Sequence, residues 1–164
     1  MLLVTDVGNT NIKLGLYDGE RLAASWRLST DLKKTSDEYG LMLMNLLSHA
    51  GAGKQDISGA IMSSVVPGIN YTLTHMLEFY LGQHPLLVGP GIKTGLNIKL
   101  DNPRELGGDL ITDAVSAFTR YGGDLIVIDF GTATTMSAVT AHGEFLGGCI
   151  PVSYTHLTLP TICS

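Results

Sequence analysis

The segment that decides the fold is VTDVGNT at residues 4–10, because a second segment of the same design, VIDFGTA, follows at residues 127–133. In each segment an apolar run ends on an aspartate, Asp6 or Asp129, and a glycine follows two residues later. Small residues, several with hydroxyl groups, come next. Glycine lets backbone N–H groups approach phosphate oxygens, and the aspartate can hold a hydrated cation. Two such corners facing each other would hold a triphosphate and its metal ion between two lobes.

The alternative to phosphate binding is a purely structural role for both corners. An aspartate followed by a turn glycine is common in hairpins, so each corner taken alone fits a simple turn. Their repetition in matching strand contexts favours phosphate binding. No Walker A, dinucleotide-binding or protein-kinase glycine-rich loop competes with them. The segment GPGIKT at residues 89–94 has the wrong spacing for a phosphate loop and is interpreted as a connection.

Outward from the two corners, the apolar pattern predicts two strand meanders separated by alternating helices and strands. The predicted strands are 2–6, 12–17, 22–28, 59–66, 85–88, 124–129, 135–140 and 144–150, and the predicted helices are 36–49, 69–81 and 105–121. Ser36 or Asp37 is expected to cap the first helix, and residues 90–104 are expected to form a loop. This order predicts an α/β fold whose opening meander is repeated.

Composition excludes several classes of protein. Ten basic and fifteen acidic side chains give a net charge of −5 without a basic cluster, which argues against nucleic acid as a partner. Two cysteines cannot form a disulfide framework or a four-ligand zinc site. The N-terminus lacks the features of a signal peptide, and no apolar run is long enough to span a bilayer. We therefore expect a cytoplasmic protein with no membrane partner.

The segment Gly107-Gly108-Asp109 is the second candidate for chemistry. It lies at the predicted start of the third helix, where a carboxylate is kept ionised. A carboxylate placed there suits a general base that accepts the proton of an alcohol during phosphoryl transfer. The structural alternative is an aspartate that only stabilises the helix dipole. Asp113, one turn further on, is interpreted as a solvated or supporting residue.

Residues 151–164 do not continue this pattern. They combine Val, Tyr, Thr, Leu and Pro without a clear period. We expect a non-native tail on a truncated chain, and an ordinary C-terminal extension is the alternative.

Several motifs in order carry a resemblance to one family, the type III pantothenate kinases. DVGNTNIK at residues 6–13 resembles the first phosphate motif of the family, and DFGTATT at 129–135 resembles the second. NPRELGGD at 102–109 is similar to the substrate-side segment. SSVVP at 63–67 and FLGG at 145–148 also match in order and place. The resemblance covers about residues 1–150.

The resemblance implies a fold in the actin-like/sugar-kinase superfamily, which is built from ribonuclease-H-like domains. The expected fold class is α/β, with a mixed sheet flanked by helices and the opening β-meander of a second similar domain. Residues 1–122 would form the first ribonuclease-H-like domain, and 123–150 the start of a truncated second one. A fragment of this kind is expected to be poorly active.

The resemblance also implies an activity, ATP-dependent phosphorylation of pantothenate, and a role for each matching residue. The implied ATP-binding residues are Asp6, Val7, Gly8, Asn9, Thr10, Asn11, Ile12, Lys13 and Thr132. The implied substrate-binding residues are Leu100, Gly107, Gly108, Asp109 and Leu110. Asp109 would be the catalytic base, Asp6 would organise Mg²⁺ or another divalent cation, and Asp129 would bind K⁺ or NH₄⁺. The full-length protein is expected to be a homodimer.

The sequence departs from the family on the side of the acceptor substrate. Many members carry arginine where Leu110 stands and tyrosine where Leu100 stands. Two alternatives therefore stay open beside the kinase: a non-catalytic relative that acts as an accessory transcriptional regulator, and an actin-like phosphotransferase or phosphatase with a different acceptor. The presence of Asp6, Asp109 and Asp129 favours an enzyme.

Overall fold

The computed structural model describes residues 1–89, 91–102, 106–131 and 133–150. These residues belong to two compact units, Met1–Val88 and a second unit that begins at Gly89. Within the described residues, no helix is long and apolar enough to cross a membrane. The predicted tail at 151–164 lies outside the described residues.

The first unit is a five-stranded mixed sheet with two helices. Its strands are β1 (Leu2–Val7), β2 (Asn11–Asp18), β3 (Arg21–Ser29), β4 (Gly59–Ser64) and β5 (Leu86–Val88), and its helices are α1 (Ser36–His49) and α2 (Pro67–Met76). The strand order is β3-β2-β1-β4-β5. The first three strands are antiparallel, whereas β4 and β5 join in parallel. The predicted meander and the α/β alternation are confirmed here.

The core of the first unit explains how β1 is oriented. Leu3, Thr5 and Val7 are buried on one face of the sheet, whereas Asp6 lies on the other face. The buried face packs with residues of α1 and α2 into one apolar cluster, which includes Leu43 and Leu73. Because successive side chains of a strand alternate between faces, burial of the apolar set fixes the face on which Asp6 appears.

The second unit is a four-stranded sheet with one helix. Its elements are β6 (Asn97–Ile98), α3 (Gly108–Tyr121), β7 (Leu125–Phe130), β8 (Thr134–Val139) and β9 (Glu144–Cys149). The strand order is β6-β9-β8-β7, with β7, β8 and β9 antiparallel to their neighbours in the meander and β6 parallel to β9. The predicted repeat of the opening meander is therefore confirmed. Helix α3 packs on β7 and β8.

Several predicted boundaries are wrong, each for a local reason. Strand β4 ends at Ser64 and α2 begins at Pro67, because proline fits the first helical position. The last turn of that helix, Leu77–Leu81, is π-helical and ends at Gly82 in a left-handed conformation. The loop predicted at 90–104 contains β6, which is too short to show a period. The division into ribonuclease-H-like domains after residue 122 stays a prediction.

The predicted cap of α1 is also wrong. Thr35, not Ser36 or Asp37, is the N-cap, and it forms a capping box with Glu38. The Thr35 backbone N–H donates to Glu38 Oε2 at 2.8 Å, and the Glu38 N–H donates to Thr35 Oγ1 at 3.3 Å. The hydrogen bond from the Thr35 backbone is the main reason why the pKa of Glu38 is lowered. Ser36 instead contacts His75 through its hydroxyl.

We predict that Thr35→Ala lowers the free energy of unfolding by about 1 kcal/mol, because it removes the cap. Ser36→Ala, the matched control, should change it by less than about 0.5 kcal/mol. Since the pKa of Glu38 is lowered on folding, its contribution is complete above the unfolded value of 4.5 and is lost as the pH falls through the folded value. Thr35→Ala removes only the side-chain part of this pH-dependent contribution, because the backbone hydrogen bond to Glu38 remains. The difference between the two variants should therefore narrow at acid pH without vanishing, since the Glu38 N–H also loses its acceptor. Urea unfolding at pH 7 and pH 3 measures both effects, and equal losses in the two variants at pH 7 would contradict the assignment.

Candidate functional site

The first corner is a tight turn between the central strand β1 and its neighbour β2. The Gly8 N–H donates to the Asn11 carbonyl at 2.9 Å, and a Cβ atom at Gly8 would lie 3.2 Å from that oxygen. Thr30 clamps the turn from the end of β3. Its hydroxyl donates to the Gly8 carbonyl at 2.6 Å, and its N–H donates to the Thr10 carbonyl at 3.0 Å. The turn is therefore held in one shape, and Thr30 is a supporting residue that sequence reasoning missed.

Asp6 and Lys13 are brought together by the register of β1 and β2. The two residues are direct partners in the antiparallel pair, and Lys13 Nζ lies 3.2 Å from Asp6 Oδ2. Their side chains are 42% and 55% exposed, so both can reach a ligand. In contrast, Val7 and Ile12 are buried in the core. Any contact that these two make with a phosphate would go through their backbone.

Ser63 lies on the other side of Asp6, at the end of β4. It is the direct parallel partner of Asp6, so both side chains share one face of the sheet. Ser63 is only 6% exposed, and its Oγ atom is buried without a hydrogen-bond partner. The pairing continues beyond the strand, where the Val65 N–H donates to the Val7 carbonyl at 3.0 Å. No sequence pattern assigned a role to this serine.

These residues fit a hydrated divalent cation. Carboxylate oxygens and water are the ligands that Mg²⁺ prefers in proteins, which commonly hold the ion through one or two carboxylates. Asp6 offers a half-exposed carboxylate, and the unpartnered Ser63 hydroxyl beside it is a polar group that still needs a partner. Among the described residues there is no group of three or more histidine, cysteine or acidic side chains that could hold a metal ion by itself.

The second corner places Asp129 near the end of β7, opposite Thr135 on β8. A Cβ atom at Gly131 would lie 3.1 Å from Asp129 Oδ2 and 3.4 Å from the Ala133 carbonyl oxygen. The Asp129 carboxylate oxygen and the Ala133 carbonyl oxygen thus both lie close to the position that the Cβ atom of any other residue would occupy. Carboxylate and carbonyl oxygens suit hard cations, so this arrangement fits the monovalent cation implied for Asp129. Thr132 lies outside the described residues.

A cleft of about 230 Å³ lies between α3 and β7 in the second unit. Asp129 lines it from the strand, and Asp113, Ser116 and Arg120 line it from the helix. Asp113 thus lines the same cleft as Asp129, and its role stays a prediction. The cleft combines acidic and basic groups and is polar in character.

Asp109 occupies the first turn of α3, as predicted. Gly107 is the N-cap and Gly108 the first helical residue. Asp109 is half-buried, and its Oδ1 atom accepts a hydrogen bond from the Leu110 N–H at 2.8 Å. The helix has no side-chain cap, so the carboxylate of Asp109 is the acidic group of the first turn. Its position at the N-terminus of the helix and its hydrogen bond from the Leu110 N–H hold the carboxylate at the predicted place.

Leu100 and Leu110 are the residues at which the sequence departs from the family. Both lie close to the same part of β9. A Cβ atom at Gly147 would lie 3.9 Å from Leu100 Cδ2, and one at Gly148 would lie 3.6 Å from Leu110 Cδ1. Both leucines are half-buried. The predicted acceptor side of the second unit is therefore more apolar than arginine and tyrosine would make it.

The structure groups the predicted site residues in two sets. Asp6, the Gly8–Thr10 turn and Lys13 form one set in the first unit, joined by Ser63. Asp109, Asp129 and the two leucines belong to the second unit. That the two sets meet on one nucleotide stays a prediction.

Comparison with known proteins gives a family and a fold. The family model for type III pantothenate kinase matches residues 2–152. A putative 2-dehydro-3-deoxygalactonokinase from Sinorhizobium meliloti is similar in structure, with a TM-score of 0.59 and 13% identity over 92% of this chain and 53% of that chain. A putative N-acetylglucosamine kinase from Porphyromonas gingivalis gives a TM-score of 0.53 and 13% identity over 94% of this chain and 50% of that chain.

These likenesses confirm the predicted α/β fold class, in which mixed sheets are flanked by helices. At 13% identity they show the fold alone. The chain spans about half the length of both solved structures.

We predict that the Asp6–Lys13 ion pair contributes little to stability, because both side chains are substantially exposed. In a double-mutant cycle with Asp6→Asn and Lys13→Met, the coupling energy should be below about 1 kcal/mol and should shrink at high salt. Urea unfolding of the two single variants and the double variant measures it. A salt-independent coupling of several kcal/mol would assign the pair to the fold and not to a ligand.

Proposed function

The chain belongs to the type III pantothenate kinase family, and on that premise we propose that the complete protein phosphorylates pantothenate with ATP. The product is 4′-phosphopantothenate, and the reaction is the first step of coenzyme A biosynthesis. The observation that carries the proposal is the first corner, where a clamped glycine turn lies between an exposed carboxylate and an exposed lysine.

The first corner would bind the phosphates of ATP. The Gly8–Thr10 turn would offer backbone N–H groups to the phosphates, and glycine allows the close approach to the Asn11 carbonyl on which the shape of the turn depends. Lys13 would exchange its contact with Asp6 for an oxygen of the triphosphate, a group that carries more negative charge in total than one carboxylate. Asp6, once released, would hold the hydrated divalent cation. That cation neutralises charge on the phosphates when it is bound.

Asp109 would act as the general base. The hydroxyl oxygen of pantothenate forms a bond to the terminal phosphorus of ATP, and the bond from that phosphorus to the bridging oxygen of ADP breaks. The proton of the hydroxyl passes to the Asp109 carboxylate, and ADP leaves. Oδ1 of this carboxylate accepts a hydrogen bond from the Leu110 N–H, which orients the side chain. Gly107 and Gly108 leave room for the substrate against the helix terminus.

Asp129 would bind K⁺ or NH₄⁺ together with the Ala133 carbonyl, because both oxygens converge above Gly131. A cation there would add positive charge to the second corner. Thr132 would contact ATP, as the family resemblance implies. The same resemblance supports two further proposals, that the complete protein is a homodimer and that it works in the cytoplasm.

A different acceptor alcohol is the second candidate function. The specific observation in its favour is the pair of half-buried leucines, Leu100 and Leu110, against Gly147 and Gly148. An apolar wall offers fewer hydrogen bonds to the polar groups of pantothenate. The phosphate chemistry would be the same.

We predict that a chain completed to the length of the family phosphorylates pantothenate when ATP, Mg²⁺ and K⁺ are all present. Mass spectrometry of the product and a coupled assay for ADP measure the reaction, and omission of K⁺ should lower the rate. Turnover of another alcohol but not of pantothenate would support the second candidate. Nucleotide binding without turnover of any alcohol would support a non-catalytic regulator.

We predict that Asp109→Asn in the completed chain lowers kcat by 10²–10⁴-fold, on the order expected for loss of a general base, while ATP still binds. Asp37→Asn is the matched control, because Asp37 is also a first-turn aspartate, in α1. If Asp109 only stabilises its helix, both variants should lose a little stability and neither should lose turnover. Steady-state kinetics and calorimetric ATP binding separate the two roles.

A further inference from the structure

Ser63 lies beside the first corner, and the phosphate motifs do not explain why a hydroxyl group is buried there. Its Oγ atom is one of three buried side-chain atoms without a hydrogen-bond partner among the described residues, together with Thr5 Oγ1 and Asn70 Oδ1. Buried polar groups are nearly always paired, because leaving one unpaired destabilises the fold. An apolar residue at position 63 would avoid that cost. The Ser63 hydroxyl therefore still needs a hydrogen-bond partner.

The carboxylate of Asp6 is placed to become that partner. Asp6 and Ser63 are direct neighbours on adjacent parallel strands, and their side chains lie on the same face. Adjacent strands are about 4.8 Å apart, so a serine hydroxyl and an aspartate carboxylate at paired positions can reach hydrogen-bond distance. In the structure, Asp6 Oδ2 instead lies 3.2 Å from Lys13 Nζ, on the side of β2. The Asp6 carboxylate thus lies between two groups that compete for it, the charged ammonium group of Lys13 and the neutral hydroxyl of Ser63.

We propose that Ser63 is a positioning residue for Asp6: when a nucleotide phosphate draws Lys13 away, the Ser63 hydroxyl donates a hydrogen bond to the Asp6 carboxylate. That bond holds the carboxylate in one orientation toward the hydrated divalent cation. The inference rests on the proposed function, since it needs a nucleotide at the first corner. It adds a residue for which the phosphate motifs give no role.

Thr5 provides a matched control within the same sheet. Its hydroxyl is also buried and unpartnered, and it is one residue from Asp6 along the chain. It lies on the opposite face, inside the apolar core. Thr5→Val removes this hydroxyl with little change of volume, so any effect common to all orphaned hydroxyls will appear in both variants. An effect of Ser63 on Asp6 will appear in one.

The experiment uses Mn²⁺ as the probe, on a chain completed to the length of the family. Free Mn²⁺ is measured by electron paramagnetic resonance in the presence of saturating ADP, and binding of metal-free ADP is measured by calorimetry in EDTA. Ser63→Ala should weaken Mn²⁺ binding about tenfold, the effect expected for loss of a hydrogen bond to a charged group. It should leave metal-free ADP binding within about twofold and should not lower the unfolding midpoint of the nucleotide-free protein.

Three further variants complete the test. Thr5→Val should bind Mn²⁺ as the wild type does, and Ser63→Thr, which keeps a hydroxyl, should restore most of the affinity. In an Asp6→Asn background, Ser63→Ala should have little additional effect, because the two residues act through one carboxylate.

Each other outcome overturns the proposal. Unchanged Mn²⁺ binding in Ser63→Ala, an equal loss for metal-free ADP, or a full loss in the Asp6→Asn background would do so. Failure of the proposed function is distinguishable: in that case Mn²⁺ binding depends on Ser63, but pantothenate is not phosphorylated. A wild-type protein that binds neither ADP nor Mn²⁺ would overturn both.

Discussion

The pairing of β1 on both of its edges is the constraint on which the candidate site depends. β2 fixes one edge and β4 fixes the other, so the alternation of side chains along β1 cannot shift. A slip by one residue would bury the carboxylate of Asp6 and expose Val7, which is fully buried. The same pairing brings Lys13 and Ser63 to the two sides of Asp6. The apolar core thereby decides the position of a charged group that it does not contact.

The two corners are alike in sequence but differ in the number of strands that flank the strand leading into them. Among the described residues, β7 pairs with β8 alone, whereas β1 has a neighbour on each side. Asp129 is accordingly exposed, and its carboxylate lies beside Gly131 in the turn. No clamp equivalent to Thr30 holds this turn within the described residues. The first corner is therefore the better-supported candidate for a phosphate site.

Local signals in the sequence predicted the two meanders, the α/β alternation and the place of Asp109, because a two-residue period, turn residues and helix starts are encoded over a few positions. The cap of α1 was missed because Thr35 and Ser36 are chemically alike, and the choice depends on which hydroxyl meets Glu38. Strand β6 exists through its pairing with β9 and has no period of its own. Ser63 and Thr30 join the corner only through pairing and contacts between residues far apart in the chain, which a local pattern cannot show.

The interactions at the first corner are of a kind that adds little to folding. The Asp6–Lys13 pair is exposed, and exposed ion pairs contribute little. The unpartnered Ser63 hydroxyl is a cost. Stability instead comes from the core on the opposite face of the sheet, where Leu3, Val7 and Ile12 are at most 1% exposed. These groups add little to stability and lie on strands that flank a hydrogen-bonded turn, so they can exchange partners when a ligand arrives without a large loss of stability.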